Sequence, residues 1–176
     1  AFDVSNNDGL SFNNYMPSNT ITITKFTNIA LSNTGFQFNN FKGSITAPDT
    51  PICPANMSYA FNNAIASNIN VETWDVTNVT NMTYMFAGNT NFNRNISSWN
   101  VTNVTDMSYM FYGVNLFNQN ISNWNVANVS NMSGMFYDAT NFNQDITSWN
   151  VTNVTNMREM FTNASYFNQN ISNWNV

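Results

Sequence analysis

The sequence predicts an α/β repeat protein: a solenoid with a parallel β-sheet on one face, short helices opposite, and an N-terminal cap. Three observations carry that expectation. Trp74, Trp99, Trp124, Trp149 and Trp174 recur every 25 residues. Within each interval, a stretch of alternating apolar and polar residues precedes apolar residues at helical spacing. No Asn-Gly dipeptide occurs anywhere, which argues against antiparallel hairpins and for a parallel stack.

The unit starting at Ile96 serves as the pattern. Ile96, Trp99, Val101 and Val104 are apolar, and Trp99 and Val101 alternate with Ser98, Asn100 and Thr102, the period of a strand with one buried face. Met107, Met110 and Phe111 then fall at i, i+3 and i+4, with Thr105 or Asp106 before them as an N-cap, which predicts one or two helical turns. A polar loop with Phe117 as its inward anchor returns the chain to the next strand. Units begin at Val71, Ile96, Ile121, Ile146 and, in part, Ile171, so residues 71–176 hold four repeats and a partial fifth.

Upstream, residues 46–70 form a degenerate first repeat. Asn56 to Phe61 sits 25 positions before Asn81 to Phe86, but Pro48, Pro51 and Pro54 replace the strand half and cannot supply a normal ladder of donors. Residues 1–45 keep little of the pattern beyond Ile21-Thr22-Ile23-Thr24, which alternates like a strand, and the cluster Phe36, Phe38 and Phe41. This region is expected to cap the first repeat.

One coil has about eight large apolar residues, each worth roughly 1.5 to 3 kcal/mol when fully buried, and cannot bury them alone. Stacking in register supplies the burial. The five tryptophans, Met110, Phe111, Phe117 and their equivalents then become internal columns, with methionines as adaptable filler.

Composition narrows the function. Charged residues are 7% of the chain and the net charge is −5, so nothing neutralises phosphates and nucleic acid is not an expected partner. The 43% hydrophobic content is enough to fold the chain, and no run is long enough to span a membrane. More than a fifth of the residues are Asn and none is His, which removes the commonest general base and zinc ligand. Cys53 is the single cysteine, read as a buried hydrophobe. Acids are sparse, and a solenoid offers a face instead of a cleft. No catalytic residue, metal site or cofactor is assigned.

The outward side of the strands is the expected binding face. One column holds Thr73, Ser98, Asn123, Ser148 and Asn173; the next Asp75, Asn100, Asn125, Asn150 and Asn175; a third Thr77, Thr102, Ala127 and Thr152. Such a face either contacts a ligand or is simply solvated. The columns Asn78, Asn103, Asn128, Asn153 and Asn93, Asn118, Asn143, Asn168 are expected to satisfy turn backbone and one another. Arg94, Arg158 and Glu159 read as isolated surface charges.

The run W-N-V-T-N-V-T-N-M-x-x-M-F followed by F-N-Q-x-I-S-x-W closely resembles the repeat of BspA-type leucine-rich-repeat surface proteins, a group that includes many mycoplasma surface lipoproteins. The resemblance covers Val71 to Val176 strongly and 46–70 weakly. It implies a right-handed leucine-rich-repeat-like solenoid and an extracellular or cell-surface role, commonly adhesion. The leading expectation is a binding module that meets a host or cell-surface protein or glycan through the strand face. A second is a structural subunit of an extracellular filament or virion, assembled end to end with copies of itself, because the half-repeat Ile171 to Val176 leaves an apolar end to cover. A third is ice binding through the Thr and Asn columns, although Ala127 interrupts one of them.

Overall fold

The computed structural model describes residues 11, 22–65 and 68–175; Ile21, residues 1–10 and 12–20 of the expected cap, residues 66–67 and Val176 lie outside them. The described residues form coils laid on one another in parallel. Isolated parallel bridges join Asn56 to Asn81, Asn81 to Asp106, Asp106 to Asn131 and Asn131 to Asn156, each step one 25-residue unit. Two short strands, β1 (Thr22–Ile23) and β2 (Ser44–Ile45), pair in parallel with Thr22 opposite Ser44. Further bridges join Ala30 to Ile52 and Ile45 to Ile69. The described part of the expected cap is therefore itself a slightly shorter coil, and Ile52 pairs despite the prolines on either side of it.

The expected architecture of a strand sheet opposite helices is overturned: among the described residues there is no helix, and β1 and β2 are the only strands. The Met107, Met110, Phe111 segment turns without becoming helical. Its N–H groups alternate between two destinations. Those of Met107, Tyr109, Phe111 and Gly113 donate to the carbonyls of Asn131, Ser133, Met135 and Tyr137 in the next coil, at 2.8 to 3.0 Å. Those of Met110, Tyr112 and Val114 close tight turns onto Met107, Tyr109 and Phe111, at 3.1 to 3.2 Å. A helix would direct all of them four residues back.

Left-handed backbone makes that alternation possible. Tyr109 has φ +54° and Gly113 φ +65°, and the equivalent positions Tyr84 and Gly88 are also positive, as are Gly134 and Asp138. A left-handed residue every fourth position stops an α-helix at each turn. Glycine supplies this conformation at Gly88 and Gly113, where a side chain would be strained. The apolar spacing nevertheless marks a buried face, for Met107, Met110 and Phe111 are all 0% exposed.

The expected strand around Trp99 is corrected too. Burial does alternate, with Trp99 and Val101 inside and Ser98 and Asn100 outside. Its amides, however, are drawn into local turns. Trp99 N–H closes onto Ile96 O (3.1 Å) and Val104 N–H onto Val101 O (2.9 Å), while Asn95 and Asn100 side chains capture the N–H groups of Ser97 and Thr102. Side chains then join the coils where a ladder was expected. The indole N–H groups of Trp99, Trp124 and Trp149 donate to the carbonyls of Val71, Ile96 and Ile121 at 3.0 to 3.2 Å.

The core is a set of aromatic columns along the stack. Phe38, Phe61, Phe86, Phe111, Phe136 and Phe161 lie ring on ring at 5.0 to 5.8 Å, tilted by no more than 8°. Phe92, Phe117, Phe142 and Phe167 form a second column about 6 Å apart, and each packs on the first at 3.9 to 4.0 Å. Trp124, Trp149 and Trp174 make a third. Aromatic pairs of this kind add about 0.5 to 1.5 kcal/mol beyond area burial.

Phe111→Ala is expected to lower the unfolding free energy by about 3 to 5 kcal/mol through lost transfer and cavity formation, as measured by denaturant unfolding. Phe167→Ala, at a half-buried position, should cost clearly less. Equal losses at the two positions would contradict the column description.

Candidate functional site

The three predicted columns sit on the outside of the stack, held there by the inward Trp and Val residues that alternate with them. Thr73, Ser98, Asn123 and Ser148 are exposed, as are Asp75, Asn100, Asn125 and Asn150. In the third column Thr77, Thr102 and Ala127 are half-buried, and Thr152 is exposed. These rows are brought together by coil stacking; they are not the outer face of a sheet.

Much of the polar capacity of these rows is engaged by the backbone. The side-chain oxygens of Asp75, Asn100, Asn125 and Asn150 accept the N–H two residues on, from Thr77, Thr102, Ala127 and Thr152, at 3.0 to 3.2 Å. These are Asx turns, the reason Asn and Asp suit such corners. Ser98 and Ser148 hydroxyls donate to the carbonyls of Glu72 and Ser122 in the preceding coil. The Asn100 NH2 also donates to Thr77 Oγ1 at 3.5 Å; what faces water is chiefly the NH2 groups of Asn125 and Asn150 and the side chains of Thr73 and Asn123, which make no hydrogen bond among the described residues.

The turn columns are structural. Asn103, Asn128 and Asn153 donate their side-chain amides to the carbonyls of Thr77, Thr102 and Ala127 one coil back, at 2.7 to 2.8 Å. The side-chain oxygens of Asn93, Asn118 and Asn143 accept the backbone N–H of Asn118, Asn143 and Asn168 at 2.9 to 3.0 Å. The same three oxygens also accept Nε2 of Gln119, Gln144 and Gln169, each at 2.9 Å. Each Asn thus replaces a missing strand contact between coils.

The charges are paired, contrary to expectation. Arg94 lies 3.6 Å from Glu72 and also bonds Asn68, and Arg158 lies 3.2 Å from Glu159. Such exposed pairs contribute little. Cys53 is buried, and desolvation pushes its thiol up to about 12, so it carries no thiolate at neutral pH.

One feature escaped the sequence reading. Phe36, Tyr59, Tyr84 and Tyr109 stack face to face at 4.5 to 4.9 Å, and Phe36 is 37% exposed. The column stops at Gly134, where a Cβ would lie 2.2 Å from a ring carbon of Tyr109. The signal was present: Tyr59, Tyr84 and Tyr109 occupy one repeat position. Desolvation and neighbouring phenols raise the Tyr84 hydroxyl above its ordinary value.

Asp75 gives the face a pH signature. Hydrogen bonds from Thr77 hold its carboxyl below the usual 3.8. A depressed folded value stabilises the fold above the unfolded value, and that stabilisation is lost as pH falls through the folded one. Thermal melts should therefore decline below pH 4. Asp75→Asn, which keeps the Asx acceptor exactly as Asn100 does but does not titrate, should flatten part of that decline. An identical acid profile for the variant would refute the assignment.

Residues 29–120 and 99–176 match a family model described as Mycoplasma protein of unknown function, DUF285. No curated protein and no solved structure matches the chain. The two matched stretches together run from the first described coils to the end of the stack, and the chain belongs to the DUF285 family of mycoplasma repeat proteins.

Proposed function

We propose that the chain is a binding module displayed outside a cell, adhering to a protein or glycan through the rows that begin with Thr73, Asp75 and Thr77. The observation that carries this reading is the in-register exposure of uncharged polar side chains over successive coils. Beyond Asp75, the three rows contain no charged residue. A partner therefore meets hydrogen-bonding groups repeated once per coil. The Asx turns fix the orientation of the Asn row before a partner arrives, which lowers the ordering cost of binding.

The resemblance of the repeat to BspA-type leucine-rich-repeat surface proteins supports the adhesive and extracellular part of the reading. Membership of a mycoplasma repeat family agrees with it. Scarcity of charge favours contact by shape and hydrogen bonding over long-range electrostatic steering.

The test is solid-phase binding to immobilised matrix proteins and neutral glycans, comparing the parent chain with a Thr73→Lys, Asn123→Lys double variant. Neither side chain makes a hydrogen bond among the described residues, so the fold should persist, as circular dichroism would verify. Binding is expected to weaken at least about tenfold, corresponding to about 1.4 kcal/mol. Undiminished binding by the folded variant would remove this face from consideration.

A further inference from the structure

The Asn93 ladder borders a recess on the outside of the stack. An open groove of about 500 Å³ is lined by Asn93, Asn118 and Asn143 together with Leu116, Asn141 and Tyr166. That volume falls within the usual range of small-molecule sites. Two of the lining residues are apolar and outward: Leu116 is 45% exposed and Tyr166 is 66% exposed. In the same repeat position the neighbouring coil carries the polar Asn141.

The three ladder amides are fixed and one-sided. Each side-chain oxygen already accepts two donors from the next coil, a backbone N–H and a Gln amide. The NH2 half of each amide makes no hydrogen bond among the described residues. The groove thus presents a row of preoriented donors with no competing free acceptor on the same amides, beside an exposed phenol ring. No Asp, Glu, Lys or Arg lines it.

We propose that this groove binds a neutral, extended oligosaccharide lying along the stack. A sugar ring has an apolar C–H face that packs on a phenol and a rim of hydroxyl, ring and acetal oxygens that accept from amide NH2 groups. Successive amides lie one coil apart, where the adjoining Phe92, Phe117 and Phe142 rings are spaced 6.0 Å, so each coil addresses roughly one sugar ring. An extended peptide fits less well. Its backbone N–H groups need acceptors, and the side-chain oxygens of these amides are already committed. The proposal goes beyond the adhesive face and stands on different residues.

The experiment is isothermal titration of the purified chain with cellohexaose, maltohexaose and chitohexaose, with an uncharged extended hexapeptide as comparison. Saturable binding of at least one hexaose is expected. Tyr166→Ala and Asn118→Asp should each weaken it about tenfold or more. Asp keeps an acceptor oxygen for the Asn143 N–H and Gln144 Nε2, so the Asn118→Asp coil should still fold, while the outward NH2 donor is replaced by a charged acceptor oxygen. Hexaose binding that falls in Thr73→Lys but survives both groove variants would place the sugar on the adhesive face and overturn this proposal while leaving the first standing, which separates the failure of one from the failure of the other. Absence of saturable binding to all three hexaoses, binding that survives both groove variants, or tighter binding of the hexapeptide would overturn the proposal.

Discussion

Everything in this molecule depends on the transfer of burial from within a coil to between coils. A single 25-residue turn of chain has no inside, so Phe111 reaches zero exposure only because Phe86 lies on one of its faces and Phe136 on the other. Backbone hydrogen bonds then fix the register, since the N–H of Phe111 can reach Met135 O only if like positions coincide. Packing and hydrogen bonding impose the same 25-residue offset, and that agreement is what gives the chain a single arrangement.

Asparagine solves the problem that this geometry creates. Corners of the coil leave amides and carbonyls without ladder partners, and a buried or half-buried polar group left unpaired is costly. Three positions of the repeat, usually Asn, answer three separate needs: Asn100 closes its own turn, Asn103 reaches the carbonyl of Thr77, and Asn93 holds the N–H of Asn118. The high Asn content is therefore first a requirement of the backbone. Its functional value lies in the halves of those amides that remain outward.

The sequence made the repeat length, the parallel stacking direction and the inward residues legible, because Trp99, Val101, Met107, Met110 and Phe111 announce burial by their spacing. It did not make the secondary structure legible. Spacing reports which side chains point inward, not where each N–H is satisfied, and the left-handed conformation of Tyr109 has no signature in its residue type, although Asn63, Gly88, Gly113, Asp138 and Asn163 at the other left-handed position are types that favour it. The outward rows were legible for the same reason as the core, as its complement. The groove was not, because it depends on the departures Leu116 and Tyr166 from a repeat position held elsewhere by Asn, and on an amide orientation that only the hydrogen bonds with the next coil define.

Because the upper and lower surfaces of each central coil are nearly the same set of side chains, any one of these coils can face any other. Removing one unit, or adding another, would bring together two surfaces that already fit, with Phe meeting Phe and Asn meeting the same carbonyl. Recombination between repeats could therefore alter the reach of the molecule in whole-unit steps without a new packing solution, whereas a deletion of two or three residues would misalign every column beyond it.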